Sequence, residues 1–403
     1  MKRGGAKGGN CSLILHVGLP KAGSSALQTA LGQSPDLVTA SGQRLRYTVL
    51  RQSGGRLGII DGRDLTLATR RSAFGYATSP NTLPAEIDSP VFDKLRKVMH
   101  QGERDGVVPI LSSEGWVRRP DLFATHLARW GNPNVEVVAF LRPPVEWFNA
   151  SFWQWGIWNE PDIDRWLQRT NQPYDFGLHL QKWAEIPNLR LRLASARPNV
   201  VQKFADLFAL NLPGASSSNR YSPPALLGFL LRNRQFRPSA HDAEAEFIFQ
   251  RWCPPMKTRR PWALQRRHVE QLLPTVTANR AALQRIATEA EQADIFADAG
   301  WDVATGCQQE TDQGLSPLDD RAELAMLFAS LVEGVSRASR AAGITPPQPP
   351  RRPSEDSEIA RWDDALRPLM HALLRADAGV RAALWPRARL HLGMRLRQIR
   401  RRD

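Results

Sequence analysis

The sequence has few cysteines and no long apolar run, and both absences limit the classes of protein it can encode. Only three Cys occur in 403 residues, and Cys11, Cys253 and Cys307 form no C-x-x-C pair. Such a set argues against a disulfide framework or a structural zinc site and fits a reducing compartment. A membrane-spanning helix needs about 20 consecutive apolar residues, and no segment approaches that length. We therefore expect a cytoplasmic protein.

The remaining composition is that of a globular protein with an excess of positive charge. Hydrophobic residues make up 42% and charged residues 23%, which excludes wholesale disorder, collagen and coiled coil. The 54 Lys and Arg residues outnumber the 40 Asp and Glu residues, so the net charge is +14. Half of this excess lies in residues 378–403, which carry eight Arg and one Asp. The charge is no argument for nucleic acid, and the Arg-rich C-terminus suggests either peripheral contact with anionic lipid at the inner face of a membrane or a solvated helix face.

Short apolar runs alternate with helical patterns. The runs at residues 12–17, 106–111 and 135–141 are typical of strands buried on both faces of a parallel sheet, and residues 199–203 are a fourth candidate. The first run follows a basic N-terminus, but His16 interrupts it and no cleavage site ends it, so we expect no signal peptide. Residues 41–90 predict loops and short helices. Alternating strands and helices predict an α/β fold with a central, mainly parallel sheet, whose ligands bind at the carboxyl ends of the strands.

Composition divides the chain into four parts. Residues 1–10, rich in Gly and Lys, predict a flexible tail, and residues 11–305 predict the α/β domain. Residues 306–353 end in the Pro/Arg-rich segment TPPQPPRRP and predict a linker region. Residues 354–403 are basic and helix-prone, and they predict a helical C-terminal appendage.

The most informative segment follows the first strand. Gly18 and Gly23 bound a loop between a strand and a helix, where backbone N–H groups and the helix dipole bind anions such as phosphate. The two glycines have the spacing of a Walker A loop, but Ser24 and Ser25 stand where an NTPase has Lys and Ser/Thr. The lysine lies inside the loop instead, at Lys21.

This segment, residues 15–28, resembles the 5′-phosphosulfate-binding loop of sulfotransferases that use 3′-phosphoadenosine 5′-phosphosulfate (PAPS). It looks especially like bacterial members that begin with H-[IV]-G-x-x-K-[TA]-G-[ST]-[ST]. The resemblance implies a P-loop-type fold of three layers. It also implies that Lys21 contacts the oxygen between sulfate and phosphate, and that the 5′-phosphate is held by Ala22, Gly23, Ser24 and Ser25.

A second segment resembles the family's 3′-phosphate site, in which an Arg ends a strand and a Ser lies on the following helix. Arg142 ends the run at residues 135–141, and guanidinium groups bind phosphate through strong bidentate hydrogen bonds. The family's Arg-to-Ser spacing of eight falls on Ala150, whereas Ser151 stands at nine. Either the helix shifts so that Ser151 serves, which we favour, or Arg142 works with other groups. A weaker match to a basic loop over this phosphate comprises Lys257, Arg259 and Arg260.

Sulfuryl transfer to a hydroxyl is an in-line displacement that needs one positioned base. The resemblance places this base after the strand at residues 106–111, as His in small-molecule sulfotransferases and as Glu in many carbohydrate ones. Here the position holds Glu114, and partial burial would raise the pKa of this carboxyl from its usual value of about 4.3. The alternative is that Glu114 is a helix-cap or loop carboxylate that pairs with Arg118 or Arg119.

The resulting prediction is an enzyme that transfers the sulfuryl group of PAPS to a hydroxyl of a carbohydrate or glycolipid. A P-loop kinase or NTPase is one alternative, and a non-catalytic protein that binds anions or a membrane surface is another. No cluster of His, Cys, Asp or Glu has metal-ligand spacing, and the donor carries its own leaving group, so we expect no metal. Core packing rather than ligand binding is predicted for His16, Trp147, Trp153, Trp155 and Trp158.

Overall fold

The chain folds as an α/β protein with one mixed, mostly parallel sheet and many helices. The computed structural model describes residues 11–53, 56–83, 89–170, 174–213, 221–302 and 306–399. The strands in these ranges are β1 Leu13–His16, β2 Asp36–Val38, β3 Arg44–Ser53, β4 Arg56–Asp61, β5 Val108–Ser112, β6 Val135–Leu141 and β7 Leu189–Ser195.

Helices cover both the sheet and the C-terminal part of the chain. Up to residue 213 they are α1 Ser24–Gln33, α2 Gly62–Arg71, α3 Pro90–Asp105, α4 Pro120–Arg129, α5 Pro144–Ser151, α6 Ile157–Asn159, α7 Ile163–Arg169, α8 Phe176–Ala184 and α9 Val200–Phe208. Beyond it they are α10 Pro224–Arg232, α11 Glu244–Trp252, α12 Arg266–Ile286, α13 Glu289–Phe296, α14 Gln308–Gln313, α15 Arg321–Ala342 and α16 Ile359–Ile399. Short 3₁₀ turns lie at Glu114–Arg118, Arg234–Phe236 and Ala299–Trp301, and a π-helical segment, Phe152–Gly156, joins α5 to α6.

The order of the strands brings the candidate motifs to one edge of the sheet. Strands β3, β5, β1, β6 and β7 are neighbours in that order and run parallel, whereas β2 and β4 pair antiparallel with β3. In register, Leu15 of β1 pairs with Leu111 of β5 on one side and with Val137 of β6 on the other. The segments that follow these three strands therefore start side by side.

Three of the four predicted strands are confirmed, and the fourth is wrong. Residues 199–203 begin α9, because the Asn199 side chain accepts hydrogen bonds from the backbone N–H groups of Val201 and Gln202 and so caps a helix. The strand lies earlier, at β7, where Arg alternates with Leu. The prediction of loops and short helices for residues 41–90 is also wrong over β3, a ten-residue strand.

A second hydrophobic cluster lies outside the sheet. It joins residues 152–158 to helices α10, α11, α15 and α16, and Trp362 and Leu366 of α16 are 0% exposed within it. Within residues 306–353, predicted as a linker region, helix α15 buries Leu324 and Leu331 in this cluster. The predicted tail, residues 1–10, lies outside the described residues, and the domain boundaries stay predictions.

Within the described part of the chain, no helix combines the length and the apolarity that crossing a membrane requires.

The packing of α16 generates a test of stability. We expect Trp362→Ala to lower the free energy of unfolding by about 3–5 kcal/mol, because a large buried side chain leaves a cavity. Urea unfolding measures the loss, and the neighbouring exposed Arg361→Ala is the control, with an expected change within about 0.5 kcal/mol. Equal stability of the two variants would contradict the packing of α16 in this cluster.

Candidate functional site

The loop after β1 is shaped by its glycines. A side chain at Gly18 would place its Cβ 2.4 Å from Ser24 Oγ and 2.9 Å from His16 Cε1, so only glycine fits without displacement. Gly23 has φ 89°, in the left-handed region that favours glycine, and Lys21 also has a positive φ, 64°. No side chain caps the start of α1, so its first backbone N–H groups point to the loop without a side-chain partner. This geometry suits an anion.

Lys21 extends from the loop toward the helix that follows β6. Its Nζ donates a hydrogen bond to Gln154 Oε1 at 2.5 Å and lies 5.5 Å from the centre of the Trp155 ring. Burial lowers the pKa of Lys21, the Glu114 carboxylate raises it, and Arg142 lowers it again. The predicted catalytic pair, Lys21 and Glu114, is thus close enough in space to interact electrostatically.

Glu114 begins the 3₁₀ turn that follows β5 and lies beside the loop. Burial raises the pKa of Glu114, while the Lys21 ammonium and the Ser24 side chain oppose this shift. The alternative partner Arg118 is bound elsewhere, because its Nη1 lies 2.7 Å from Asp175 Oδ1. The net shift in pKa is in the direction that a general base near neutral pH needs.

Arg142 ties the end of β6 to the loop. Its Nη1 donates to the carbonyl oxygen of Lys21 at 3.0 Å, and Trp147 Nε1 donates to the carbonyl oxygen of Pro20 at 2.9 Å. These two bonds hold the middle of the loop against α5. Arg142 itself is anchored by its own carbonyl, which accepts a 2.5 Å hydrogen bond from the Tyr174 hydroxyl.

The carboxylate of Glu146 pairs with three arginines next to the contact between Arg142 and Lys21. Glu146, which is 3% exposed, pairs through Oε2 with Arg142 at 3.4 Å, with Arg260 at 3.1 Å and with Arg197. Burial acts to raise the pKa of Glu146, but the three guanidinium groups together hold it below its usual value. Two further acids complete the cluster, since Arg197 also pairs with Asp298 and Arg260 with Glu310.

Among the described residues, Ser151 forms no side-chain hydrogen bond to the cluster around Glu146. Ser151 is 1% exposed, and its Oγ has no hydrogen-bond partner among the described residues. Ala150, which stands eight residues after Arg142, is less buried than Ser151. The predicted contact of Ser151 with a phosphate stays a prediction.

A buried polar network lies under the loop. His16 Nδ1 is 2.7 Å from Ser112 Oγ, which also accepts a 3.0 Å hydrogen bond from Gln28 Nε2 of α1. His16 is 0% exposed, burial lowers its pKa to about 3, and its ring is therefore neutral at physiological pH. The network joins β1, β5 and α1 behind the loop that follows β1, and the expectation of a buried His16 is confirmed.

Aromatic side chains flank the other side of α1. Burial raises the pKa of Tyr76, the Glu114 carboxylate raises it further, and the Ser25 side chain lowers it. The ring of Phe247 lies 5.9 Å from that of Tyr76 and 5.4 Å from that of the partly exposed Phe74. These rings form an apolar surface near Glu114.

Several residues of the site were not predicted from the sequence as site residues. Glu146 stands four residues after Arg142 on a helix that begins at Pro144, a spacing that brings the two side chains together and was a usable signal. Arg197 reaches the cluster from another segment and has no local signal. Of the weaker candidates, Arg260 enters the cluster, whereas Arg259 donates to three backbone carbonyls of residues 313–315.

The four tryptophans predicted as core differ in exposure. Trp147, Trp153 and Trp158 are buried, whereas Trp155 is only partly buried and faces Lys21.

Comparison with protein-family models, with curated proteins and with solved structures finds no match for this chain. Among the described residues, no group of three or more His, Cys, Asp and Glu side chains is arranged to hold a metal ion.

The arginine cluster predicts a pH-dependent contribution to stability. Because the pKa of Glu146 is lower in the folded chain than in the unfolded one, its stabilisation is complete above the unfolded pKa of about 4.3 and is lost as the pH falls through the folded value. We expect Glu146→Gln to cost about 3–5 kcal/mol at pH 7, and less in acid, since it removes the buried carboxylate that three guanidinium groups share.

Urea unfolding of the wild type and the variant between pH 7 and pH 3 measures this difference. The control is Glu333→Gln, which breaks the exposed pair with Arg337 and should cost no more than about 1 kcal/mol. A difference between the wild type and Glu146→Gln that does not shrink in acid would contradict the charged role of Glu146.

Proposed function

We propose that this protein is a sulfotransferase that moves the sulfuryl group of PAPS to a hydroxyl of a carbohydrate or glycolipid. The observation that carries the proposal is that Lys21 and Glu114, 93 positions apart in the sequence, follow the paired strands β1 and β5, and that the charge of each acts on the pKa of the other. An ammonium beside a base, both at the start of an uncapped helix, suits displacement at an anionic centre. The proposal includes a P-loop-type fold of three layers.

The donor's 5′ end fits the loop. The backbone N–H groups at the start of α1, which no side chain caps, would hold the phosphate, and the hydroxyls of Ser24 and Ser25 lie in the same turn. Ala22 and Gly23 contribute backbone, and Lys21 contributes the charge. A lysine ammonium has three donors, so the hydrogen bond to Gln154 leaves two for the donor's bridging oxygen.

The 3′ end is more constrained, because the arginines already face carboxylates. Arg142 uses two of its five N–H groups, on Glu146 and on the carbonyl of Lys21, so three remain for a phosphate. Arg142 and Arg260 are each about one-fifth exposed and so can be reached from solvent. The cluster supports a phosphate contact through Arg142 and Arg260 without removal of Glu146.

The reaction requires few protein groups. The acceptor oxygen attacks sulfur in line with the bond to the bridging oxygen, and that bond breaks with its electron pair on the 5′-phosphate of the product, 3′-phosphoadenosine 5′-phosphate (PAP). Glu114 takes the hydroxyl proton, and Lys21 stabilises the negative charge that develops on the bridging oxygen. The aromatic surface of Phe74, Tyr76 and Phe247 supports an acceptor with an apolar face, such as a sugar ring.

Ligand-induced stabilisation separates this proposal from its competitors. PAP at about 100 times its Kd should add about 2.7 kcal/mol to the free energy of unfolding, seen as a rise in Tm. We expect PAP to stabilise the chain, ATP and GTP to do so less, and Lys21→Ala to weaken the effect. Lys97→Ala, on the exposed face of α3, is the control. Stabilisation by ATP but not by PAP would favour a kinase or NTPase and overturn the proposal.

The base assignment is tested by Glu114→Gln. Loss of a general base should lower the rate of sulfate transfer about 10²–10⁴-fold, while the rise in Tm with PAP stays as in the wild type. Because burial raises the pKa of Glu114, the wild-type rate should fall with falling pH through a value above about 4.3, and this acid limb should be absent in the variant.

A screen of radiolabelled sulfate transfer from PAPS onto oligosaccharides and glycolipids supplies the assay. The control is Glu103→Gln on the exposed surface of α3, which should keep the wild-type rate. Undiminished transfer by Glu114→Gln would reject Glu114 as the base, and binding of PAP without transfer to any hydroxyl would favour a non-catalytic protein.

A further inference from the structure

Arg237 is an arginine that is fully removed from solvent. It follows the 3₁₀ turn Arg234–Phe236 and is 0% exposed. A buried charge needs a partner, and Arg237 Nη1 forms an ion pair with Glu246 of α11. The other oxygen of Glu246 accepts a 2.6 Å hydrogen bond from the Ser222 hydroxyl. The guanidinium also lies 4.0 Å from the centre of the Trp158 ring, so Arg237 is fixed on several sides.

One hydrogen bond connects this buried group to the candidate active site. Arg237 Nη2 donates to the backbone oxygen of Gln154 at 2.5 Å, inside the π-helical segment Phe152–Gly156. The side chain of the same Gln154 accepts the hydrogen bond from Lys21 Nζ at 2.5 Å. Single π-helical turns occur frequently at functional sites. A continuous path of two hydrogen bonds therefore runs from Arg237 to the lysine of the loop.

We propose that Arg237 is a positioning residue for Lys21 that acts through Gln154, an inference that rests on the proposed function of Lys21. The guanidinium fixes the peptide of Gln154, and the Gln154 side chain then keeps the ammonium inside the loop. Without Arg237, only backbone hydrogen bonds would hold this π-helical turn. Gln154 and the Lys21 amine could then move together away from the start of α1. Arg237 thus connects the second hydrophobic cluster to the phosphate loop.

Arg237 also contributes to the electric field at Lys21, which gives a readout that a merely structural role would not change. The charged groups that face Lys21 come from three segments: Glu114 after β5, Arg142 after β6, and Arg237 between α10 and α11. Burial lowers the pKa of Lys21, Glu114 raises it, and Arg142 and Arg237 lower it further. Removal of the Arg237 charge should therefore raise the pKa of Lys21.

The experiment follows the titration of Lys21 in the full chain without any ligand. Acetic anhydride labels neutral amines, and peptide mass spectrometry resolves the labelling rate at Lys21 as a function of pH. In Arg237→Met the midpoint should rise by about one pH unit, because one cationic neighbour is lost. In Arg237→Lys the charge remains but the planar fork is lost, so the midpoint should stay near the wild-type value.

The Arg237→Lys variant also tests positioning, and it keeps the proposal testable where Arg237→Met does not fold. Above the midpoint, where the amine is neutral, Lys21 in this variant should be labelled at least about threefold faster than in the wild type, since Gln154 no longer holds it. Arg232→Lys is the matched control. It weakens an ion pair between α10 and α16, with Asp363 at 2.8 Å, whose arginine is more exposed than Arg237 and forms no bond to Gln154 among the described residues. This variant should leave both readouts unchanged.

Two results overturn the proposal. One is an unchanged labelling rate of Lys21 in Arg237→Lys, and the other is an equal change in the Arg232→Lys control. Because labelling needs no donor, failure of this inference is distinguishable from failure of the proposed function, which would appear as a wild-type protein that PAP does not stabilise. Where PAP does bind, a loss of kcat in Arg237→Lys larger than the loss of PAP affinity would support positioning of Lys21 for the transfer step.

Discussion

The pairing of β1 between β5 and β6 is the constraint on which the candidate site depends. Leu15 stands in register with Leu111 and with Val137, so all three strands end at the same edge. The loop after β1, Glu114 and Arg142 follow these ends within a few residues. A shift of two residues along either pairing would move Glu114 or Arg142 by about 7 Å relative to the loop, because each strand residue adds about 3.3 Å. Strand register therefore determines which side chains meet at this edge.

Charge compensation is the second constraint. Five cationic side chains lie in or near the candidate site, and each has an acidic partner or neighbour there. They are Lys21, Arg142, Arg197, Arg237 and Arg260. Glu146 and Glu246 are almost completely buried, and each pairs with guanidinium groups that would otherwise repel neighbouring cations. Without these carboxylates the cost of placing so many cations together would disfavour the folded state.

The sequence predicted the parts of this arrangement that local chemistry determines. Strands buried on both faces appear as apolar runs whatever surrounds them, so residues 12–17, 106–111 and 135–141 were identified, and Gly18 and Gly23 marked the loop between strand and helix. By contrast, the β-branched pair Val200-Val201 suggested a strand, although the Asn199 cap starts a helix there. The Gly, Arg and Ser content of residues 41–90 concealed β3, whose Tyr47 and Val49 are buried β-formers.

Contacts between distant segments could not be predicted in the same way. The bond between Gln154 and Lys21 has no local signal in the sequence, because it depends on how far α5 extends past the loop before the π-helical segment. Arg237 has no local pattern at all, because its role follows from the packing of α10 and α11 against residues 152–158.

This packing changes the interpretation of the C-terminal part of the chain. Predicted as a linker and an appendage, residues of α15 and α16 instead bury Leu324, Leu331, Trp362 and Leu366 in the cluster that surrounds Trp158. Trp158 is the aromatic surface on which Arg237 lies. The helices beyond residue 305 therefore support the turn that holds Gln154, and through it the lysine of the loop.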